Sequence, residues 1–205
     1  MTQVALLGIT GRAGSRIATE LLQRGHTVTG IARDASKATA QTGLTLQSAD
    51  ATRVDALVPL LRGHDVLVSA TRFDGGSDAG TLIAAARQAG VQRLVVVGGA
   101  GSLEVAPGQA LVDTAQFPAA YKPEALAGRA FLQVLRAEPA LDWTFLSPSA
   151  LFEPGERTGT FRLGGDQLLA DAAGNSRISM EDYAIALVDE IEVPRHARQR
   201  FTVGY

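Results

Sequence analysis

The chain has 205 residues, of which 46% are hydrophobic, a formal net charge of −2 and no cysteine. This length suits one α/β domain with a full core. Without cysteine, disulfides, thiolate catalysis and cysteine-ligated zinc are excluded, and the small net charge provides no general field for nucleic acid or an anionic membrane. The three histidines lack metal-ligand spacing, and no run of eighteen apolar residues or charged signal region occurs. We therefore expect a soluble cytoplasmic protein.

The chain opens with a short apolar strand at 4–7, which runs into three glycines spaced three apart and then into a helical pattern. Such a turn directs unpaired backbone N–H groups and the positive end of the helix dipole to one point, which suits a pyrophosphate. Side chains there would block a phosphate, which explains Gly8, Gly11 and Gly14. The spacing differs from the usual G-x-G-x-x-G fingerprint, and a turn that merely needs glycine is the alternative.

Apolar runs and helical patterns alternate along the rest of the chain. They predict further strands at 27–32, 44–46, 65–70, 94–97, 142–146 and 200–203, and helices after the glycines and at 54–61, 79–89, 123–137 and 181–190. This alternation implies right-handed crossovers and a doubly wound parallel sheet with helices on both faces. Residues 148–178, rich in glycine and proline, are predicted to form a small substrate lobe within a single domain, 1–205.

The end of the second strand carries the charge expected to select the cofactor. Ligands in such sheets lie beyond the carboxyl ends of the strands, and Arg33 occupies the position that contacts the adenosine ribose. An arginine there suits a 2′-phosphate, and Arg12 and Lys37 would add charge to the same pocket. The sequence therefore favours NADPH over NADH. Alternatively, Arg33 is a surface residue and Asp34 partly neutralises the pocket.

Other strand ends supply smaller candidate contacts. Asp50 follows the third strand, where a carboxylate often binds the adenine amino group, and an acid that precedes the next helix is an equally good interpretation. The small residues at 70–71 and 98–99 would leave room for the ribose and nicotinamide of the cofactor beside these strand ends. Tight turns use the same residue types, so the pattern leaves both interpretations open.

Few residues are candidates for acid–base catalysis. A tyrosine whose phenol is acidified by a lysine one helical turn later can transfer a proton to or from a substrate oxygen. Tyr121 has Ala125 four residues on, and Lys122, its immediate neighbour, would face elsewhere on a helix. We therefore expect Ser102 and Tyr121 to line the substrate pocket, and a catalytic role is the weaker alternative for both. This argues against alcohol–ketone chemistry by the usual dyad.

With these motifs, the chain resembles the atypical short-chain dehydrogenase/reductase superfamily. It looks most like NAD(P)H-binding proteins described as NADH-flavin reductases, which are related to biliverdin reductase B and the NmrA-like proteins. The segments that carry the resemblance span the whole chain: 8–14, 32–34, 97–103, 142–148, 153–159, 163–166 and 178–184.

The resemblance implies a Rossmann-type domain that holds NAD(P)H and offers its nicotinamide to a flat acceptor. By analogy, the cofactor would contact residues of the glycine loop and of the following strand ends, namely Gly8, Thr10, Gly11, Arg12, Ala13, Gly14, Arg33, Asp50, Ala51, Ala70, Thr71, Gly98 and Gly99. The substrate pocket would be formed by Ser102, Tyr121, Pro148, Ser149 and Phe152.

The missing Tyr-x-x-x-Lys pair departs from the larger superfamily and favours hydride transfer to a flavin or a flavin-like quinoid acceptor. Hydride can pass to a stacked isoalloxazine without a strong protein acid. The flavin would be a substrate and not a tightly bound cofactor. A non-catalytic NAD(P)-sensing regulator of NmrA-like type is the alternative, and a sugar epimerase or dehydratase is a third interpretation. We expect a small-molecule acceptor as partner, no nucleic acid, no membrane, and a monomer or weak homodimer.

Overall fold

An eight-stranded sheet forms the centre of the protein, and helices pack on both of its faces. The computed structural model describes residues 1–205. In chain order the elements are β1 (Gln3–Leu7), α1 (Arg12–Gln23), β2 (Thr27–Ala32), β3 (Leu44–Ser48), α2 (Val54–Leu61), β4 (Val66–Ser69), α3 (Ala79–Ala89), β5 (Arg93–Val97), β6 (Glu104–Ala106), β7 (Gln109–Ala110), α4 (Lys122–Arg136), β8 (Asp142–Pro148), β9 (Leu151–Glu153), β10 (Arg162–Gly164), β11 (Arg177–Ser179), α5 (Met180–Glu192) and β12 (Gln199–Gly204).

The strand order across the sheet is β3-β2-β1-β4-β5-β8-β12-β10. All neighbours run parallel except β10, which pairs antiparallel with β12 at the edge. The chain moves outward from β1 to β3 and then returns to β4 on the other side of β1, so the direction of winding reverses between β1 and β4. At such a switch point the connecting loops part and leave a crevice at the carboxyl ends of the strands. The predicted doubly wound sheet is confirmed.

The central strands β1, β4 and β5 are apolar on both sides because both faces of the sheet are covered there. Val4 and Leu6 of β1 pack into a cluster of 21 buried residues shared with α1 and α5. Ala5 and Leu7 point into a second cluster of 21 residues, shared with α2, α3 and α4. β1 therefore lies between the two clusters, and packing on both of its faces fixes the point at which the glycine loop begins.

The segment predicted as a substrate lobe joins the rest of the domain through short strands. β9 and β11 form a parallel pair, while β10 extends the central sheet through its pairing with β12. Residues 104–121, where the sequence predicts no helix or strand, contain the antiparallel pair β6–β7 and two short 3-10 helices. Both segments lie near the carboxyl ends of β5 and β8, and both contribute walls to the cavity described below.

Side chains of α5 hold the loop between β9 and β10. The carboxylate of Asp182, which is fully buried, accepts hydrogen bonds from the Thr158 hydroxyl at 2.5 Å, the Gly159 N–H at 2.8 Å and the Tyr205 hydroxyl at 2.7 Å. Burial raises the pKa of Asp182, but these hydrogen bonds outweigh it and leave the pKa below its usual range. Ser179 caps α5, accepting the Asp182 N–H at 3.0 Å.

We expect Asp182→Asn to lower the free energy of unfolding by about 1.5–3 kcal/mol near neutral pH, because it removes the charge from an acceptor that three donors share. Since the folded-state pKa lies below the unfolded-state value, this contribution is present at neutral pH and is lost as the pH falls through the folded-state pKa. Urea unfolding near pH 7 and near pH 3 should show a difference from wild type that shrinks in acid.

Glu153→Gln provides the matched control, because Glu153 is an exposed acid of β9 whose carboxylate accepts no hydrogen bond from the protein. Its unfolding should match that of wild type at both pH values. A destabilisation by Asp182→Asn that stays constant with pH would contradict the role assigned to the charge.

Candidate functional site

The glycine loop packs directly against the end of β4. Gly8 has φ of +82°, a conformation that favours glycine, and a Cβ added there would lie 2.5 Å from the carbonyl oxygen of Ala70. A Cβ on Gly14 would lie 2.1 Å from the carbonyl oxygen of Gly8, and one on Gly11 would lie 3.1 Å from the same atom. These glycines therefore let α1 begin in close contact with the end of β1.

The N-terminus of α1 is free to bind an anion. Its N-cap residue, Gly11, offers no side chain to the first N–H groups, and the first turn contains no acidic residue. The first N–H groups of a helix have no partner within the helix and lie at the positive end of its dipole. A pyrophosphate would satisfy these donors, so the loop fits a dinucleotide cofactor.

On one side of the loop lies a cleft of about 650 Å³, which we call the β2 cleft. Arg33 and Asp50 line it from the ends of β2 and β3. The other predicted cofactor residues that line it are Gly8, Thr10, Gly11, Ala51, Ala70 and Thr71. Lys37 lies outside the cleft and is 74% exposed, so it does not add charge to this pocket as we expected.

The charges around the β2 cleft leave Arg33 free. Arg33 is exposed and forms no ion pair, while the Asp34 carboxylate accepts a hydrogen bond from Ser36 at 2.5 Å and lies 3.4 Å from the Lys37 ammonium. Hydrogen bonds from the N–H and hydroxyl of Thr52 hold the pKa of Asp50 below its usual range. The cleft thus presents an unpaired guanidinium beside an ionised carboxylate.

On the other side of the loop lies a cavity of about 770 Å³, which we call the β5 cavity. Gly11 and Ala70 line both spaces, so the β2 cleft and the β5 cavity meet at the loop. The remaining predicted residues in its walls are Arg12, Ala13, Gly98, Gly99, Ser102, Tyr121, Pro148, Ser149 and Phe152. Gly14 and Lys37 are the predicted site residues that line neither space, and Gly14 instead serves the packing of α1 on the loop.

Two of the predicted contacts have a structural reason of their own. A Cβ on Gly98 would lie 2.4 Å from the ring of Phe145, so core packing requires this glycine whether or not a ligand binds beside it. Gly99 is different, since its nearest neighbour would be the Phe73 ring at 3.9 Å. The hydroxyl of Ser149 is buried and donates to the Val203 carbonyl at 3.0 Å, so Ser149 lines the cavity without offering its hydroxyl to a substrate.

The wall of the β5 cavity contains one tyrosine and no lysine. Tyr121 is 68% exposed and its hydroxyl makes no hydrogen bond with the protein. The other tyrosine near β8, Tyr183, is fully buried, and its hydroxyl donates to the Leu146 carbonyl at 2.6 Å. Burial raises the pKa of Tyr183 far above its usual value. Ser102 lines the cavity, with its hydroxyl 3.5 Å from a guanidinium nitrogen of Arg200.

Sequence reasoning missed the side chains that shape the loop after β4. Glu124, in the first turn of α4, accepts the N–H groups of Phe73 and Asp74 at 2.8 and 2.9 Å. The Phe73 ring lies over Gly128, where an added Cβ would be 2.9 Å from it. These contacts position Arg72, which lines both the cleft and the cavity. The sequence shows only that Glu124 is an acidic residue in the first turn of a predicted helix, and it gives no sign of the contacts with the loop after β4.

None of the helices combines the length and the apolar character that crossing a bilayer requires. The acidic and histidine side chains form no group of three or more that could hold a metal ion.

Residues 8–194 match a protein-family model described as NAD(P)H-binding. The chain belongs to this NAD(P)H-binding family. The matched region contains the glycine loop and all of the residues that line the β2 cleft and the β5 cavity. The cofactor of the family fits the donors that the loop leaves free.

Three solved structures are similar to this family member along its whole length. A candidate exported protein from Burkholderia pseudomallei shares 48% identity with a TM-score of 0.91, covering 100% of both chains. A candidate epimerase from Bacteroides thetaiotaomicron shares 38% identity with a TM-score of 0.93, covering 100% of this chain and 97% of that one. A candidate NADH-flavin reductase from Streptococcus pneumoniae shares 36% identity with a TM-score of 0.85, covering 100% and 99%. The predicted resemblance is confirmed.

Proposed function

We propose that this protein is an NADPH-dependent reductase that transfers hydride from the nicotinamide to a flavin or to a flavin-like quinoid acceptor. The β5 cavity carries the proposal, because it adjoins the cofactor loop and is lined by the rings of Phe73, Phe117, Tyr121 and Phe152 while offering no tyrosine–lysine pair. The similarity to the candidate NADH-flavin reductase of Streptococcus pneumoniae supports it.

The walls of the cavity decide which acceptors can react. When bound, the cofactor supplies the hydride, and the protein binds and orients the two reactants. Reduction of an isolated carbonyl needs a proton donor at its oxygen, and the cavity contains no tyrosine paired with a lysine that could serve as one. A flavin ring can take its proton from water after hydride transfer. The aromatic side chains would hold such a ring in place, and orientation of this kind contributes up to about 7–11 kcal/mol in ideal cases.

The proposal includes a preference for NADPH, because the free guanidinium of Arg33 in the β2 cleft is suited to a 2′-phosphate. It also includes a cytoplasmic location, where NAD(P)H is available, and a small molecule as the partner. A monomer or a weak homodimer stays a prediction.

The first test is anaerobic bleaching of FMN, FAD and riboflavin by the purified protein with NADPH, and with NADH in parallel. Multiple turnovers of any flavin would support the proposal. Cofactor binding without turnover would overturn it in favour of an NAD(P)-sensing regulator. Because one relative is described as a candidate epimerase, the same test should include a sugar substrate. An epimerase would convert the sugar without net oxidation of NADPH.

We expect Tyr121→Phe to change kcat for flavin reduction by less than about threefold, because no proton passes through this phenol. Phe117→Ala is the comparison variant, because it removes an aromatic ring from the same wall whereas Tyr121→Phe keeps the ring. It should raise KM for the flavin up to about tenfold. Steady-state kinetics measure both. A thousandfold loss of kcat in Tyr121→Phe would instead establish a catalytic tyrosine.

A further inference from the structure

The β5 cavity contains more positive than negative charge. Arg12, Arg72, Arg129 and Glu124 are the charged residues in its walls. Arg129 pairs with Asp113 at 2.8 Å, and the Nε atom of Arg72 lies 3.5 Å from the carboxylate of Glu124. Arg12 is the one arginine of the cavity that has no carboxylate partner, so a negative ligand group could bind it without breaking an ion pair.

The position of Arg12 limits which ligand it can bind. It is the first residue of α1, its side chain is exposed, and its guanidinium makes no hydrogen bond with the protein. Arg12 lines the β5 cavity but not the β2 cleft, whereas Arg33 lines the β2 cleft but not the cavity. The glycine loop therefore separates two free guanidinium groups that the sequence suggested would share one pocket.

We propose that Arg12 anchors an anionic group of the acceptor, and that the acceptor is accordingly a phosphorylated flavin such as FMN. This inference rests on the proposed flavin reduction and assigns the two free arginines to different ligands. Arg33 binds the 2′-phosphate of the cofactor in the β2 cleft. Arg12 binds the phosphate of the acceptor at the rim of the β5 cavity, because a guanidinium can form two parallel hydrogen bonds to a phosphate.

FMN and riboflavin provide the test, since they share the ring and the ribityl chain and differ only in the phosphate. With saturating NADPH, we expect kcat/KM for FMN to exceed that for riboflavin by about tenfold or more in wild type. Arg12→Gln should remove this advantage, so that the ratio of kcat/KM for FMN to that for riboflavin falls to about one. Arg62→Gln is the control for general charge loss, because Arg62 is exposed and lines neither space.

Two kinetic results would overturn the inference while leaving flavin reduction intact. One is equal kcat/KM for FMN and riboflavin in wild type. The other is a raised KM for NADPH in Arg12→Gln with an unchanged ratio between the flavins, which would return Arg12 to the cofactor.

Absence of turnover with every flavin would instead defeat the proposed function. Fluorescence titration of FMN and riboflavin into the protein with NADP⁺ bound then tests the anchor by itself. If Arg12→Gln weakens the binding of FMN but not that of riboflavin, Arg12 is supported as the phosphate anchor. Unchanged binding of FMN overturns this role.

Discussion

We expect Gly14→Ala to remove most of the cofactor affinity, although alanine normally stabilises a helix by about 1 kcal/mol relative to glycine. The new Cβ would lie 2.1 Å from the carbonyl oxygen of Gly8, so the start of α1 must move away from the loop. The N–H groups that would bind the pyrophosphate move with it. A hydrogen bond to a charged group contributes about 1.5–3 kcal/mol, so losing two lowers affinity by a factor of about 100 or more.

Calorimetric titration with NADP⁺ measures this loss, and thermal unfolding of the same sample shows whether the apoprotein remains folded. Gly165→Ala is the control, because a Cβ at Gly165 meets no atom within 4 Å and its φ is not in the positive range. That variant should bind like wild type. Wild-type affinity in Gly14→Ala would mean that the loop absorbs the extra atom, and the role given to this close contact would be wrong.

The central sheet could be predicted because each of its strands is a short apolar run between turn residues. The strand predicted at 94–97 is β5, Arg93–Val97, and the helix predicted at 79–89 has those bounds. Both faces are covered at β1, β4 and β5, so these strands lack the alternation that would mark one face as exposed, whereas the edge strand β3 alternates between half-buried leucines and exposed polar residues. The exception is β10, whose three residues gave no strand signal and which joins the sheet only through β12.

The walls of the site were harder to predict, because they depend on contacts between distant parts of the chain. Glu124 bonds to backbone groups of residues 73 and 74, about fifty positions earlier, and nothing local to Glu124 indicates these partners. Gly98 has the residue type expected next to a cofactor, yet the ring of Phe145 already requires it. Likewise, the sequence placed Arg12 and Arg33 near one loop but could not show that they lie on opposite sides of it.

We expect Arg33→Glu to lower kcat/KM for NADPH by about a hundredfold or more while changing that for NADH by less than about threefold. Arg33 lines the β2 cleft without an ion pair, so its charge is available to a 2′-phosphate. The variant replaces this attraction with repulsion between two negative groups. NADH has no 2′-phosphate and would lose neither interaction, and steady-state kinetics with both cofactors measure the ratio.

Lys37→Glu separates direct contact from the general field, because it makes the same change of charge a few residues away. Lys37 lies outside the cleft, and Asp34 already offsets its charge, so the NADPH-to-NADH ratio should change by less than about threefold. If both variants lowered the ratio equally, long-range electrostatics would explain the preference and Arg33 would have no special contact. Equal losses for the two cofactors in Arg33→Glu would show that this guanidinium does not bind the 2′-phosphate.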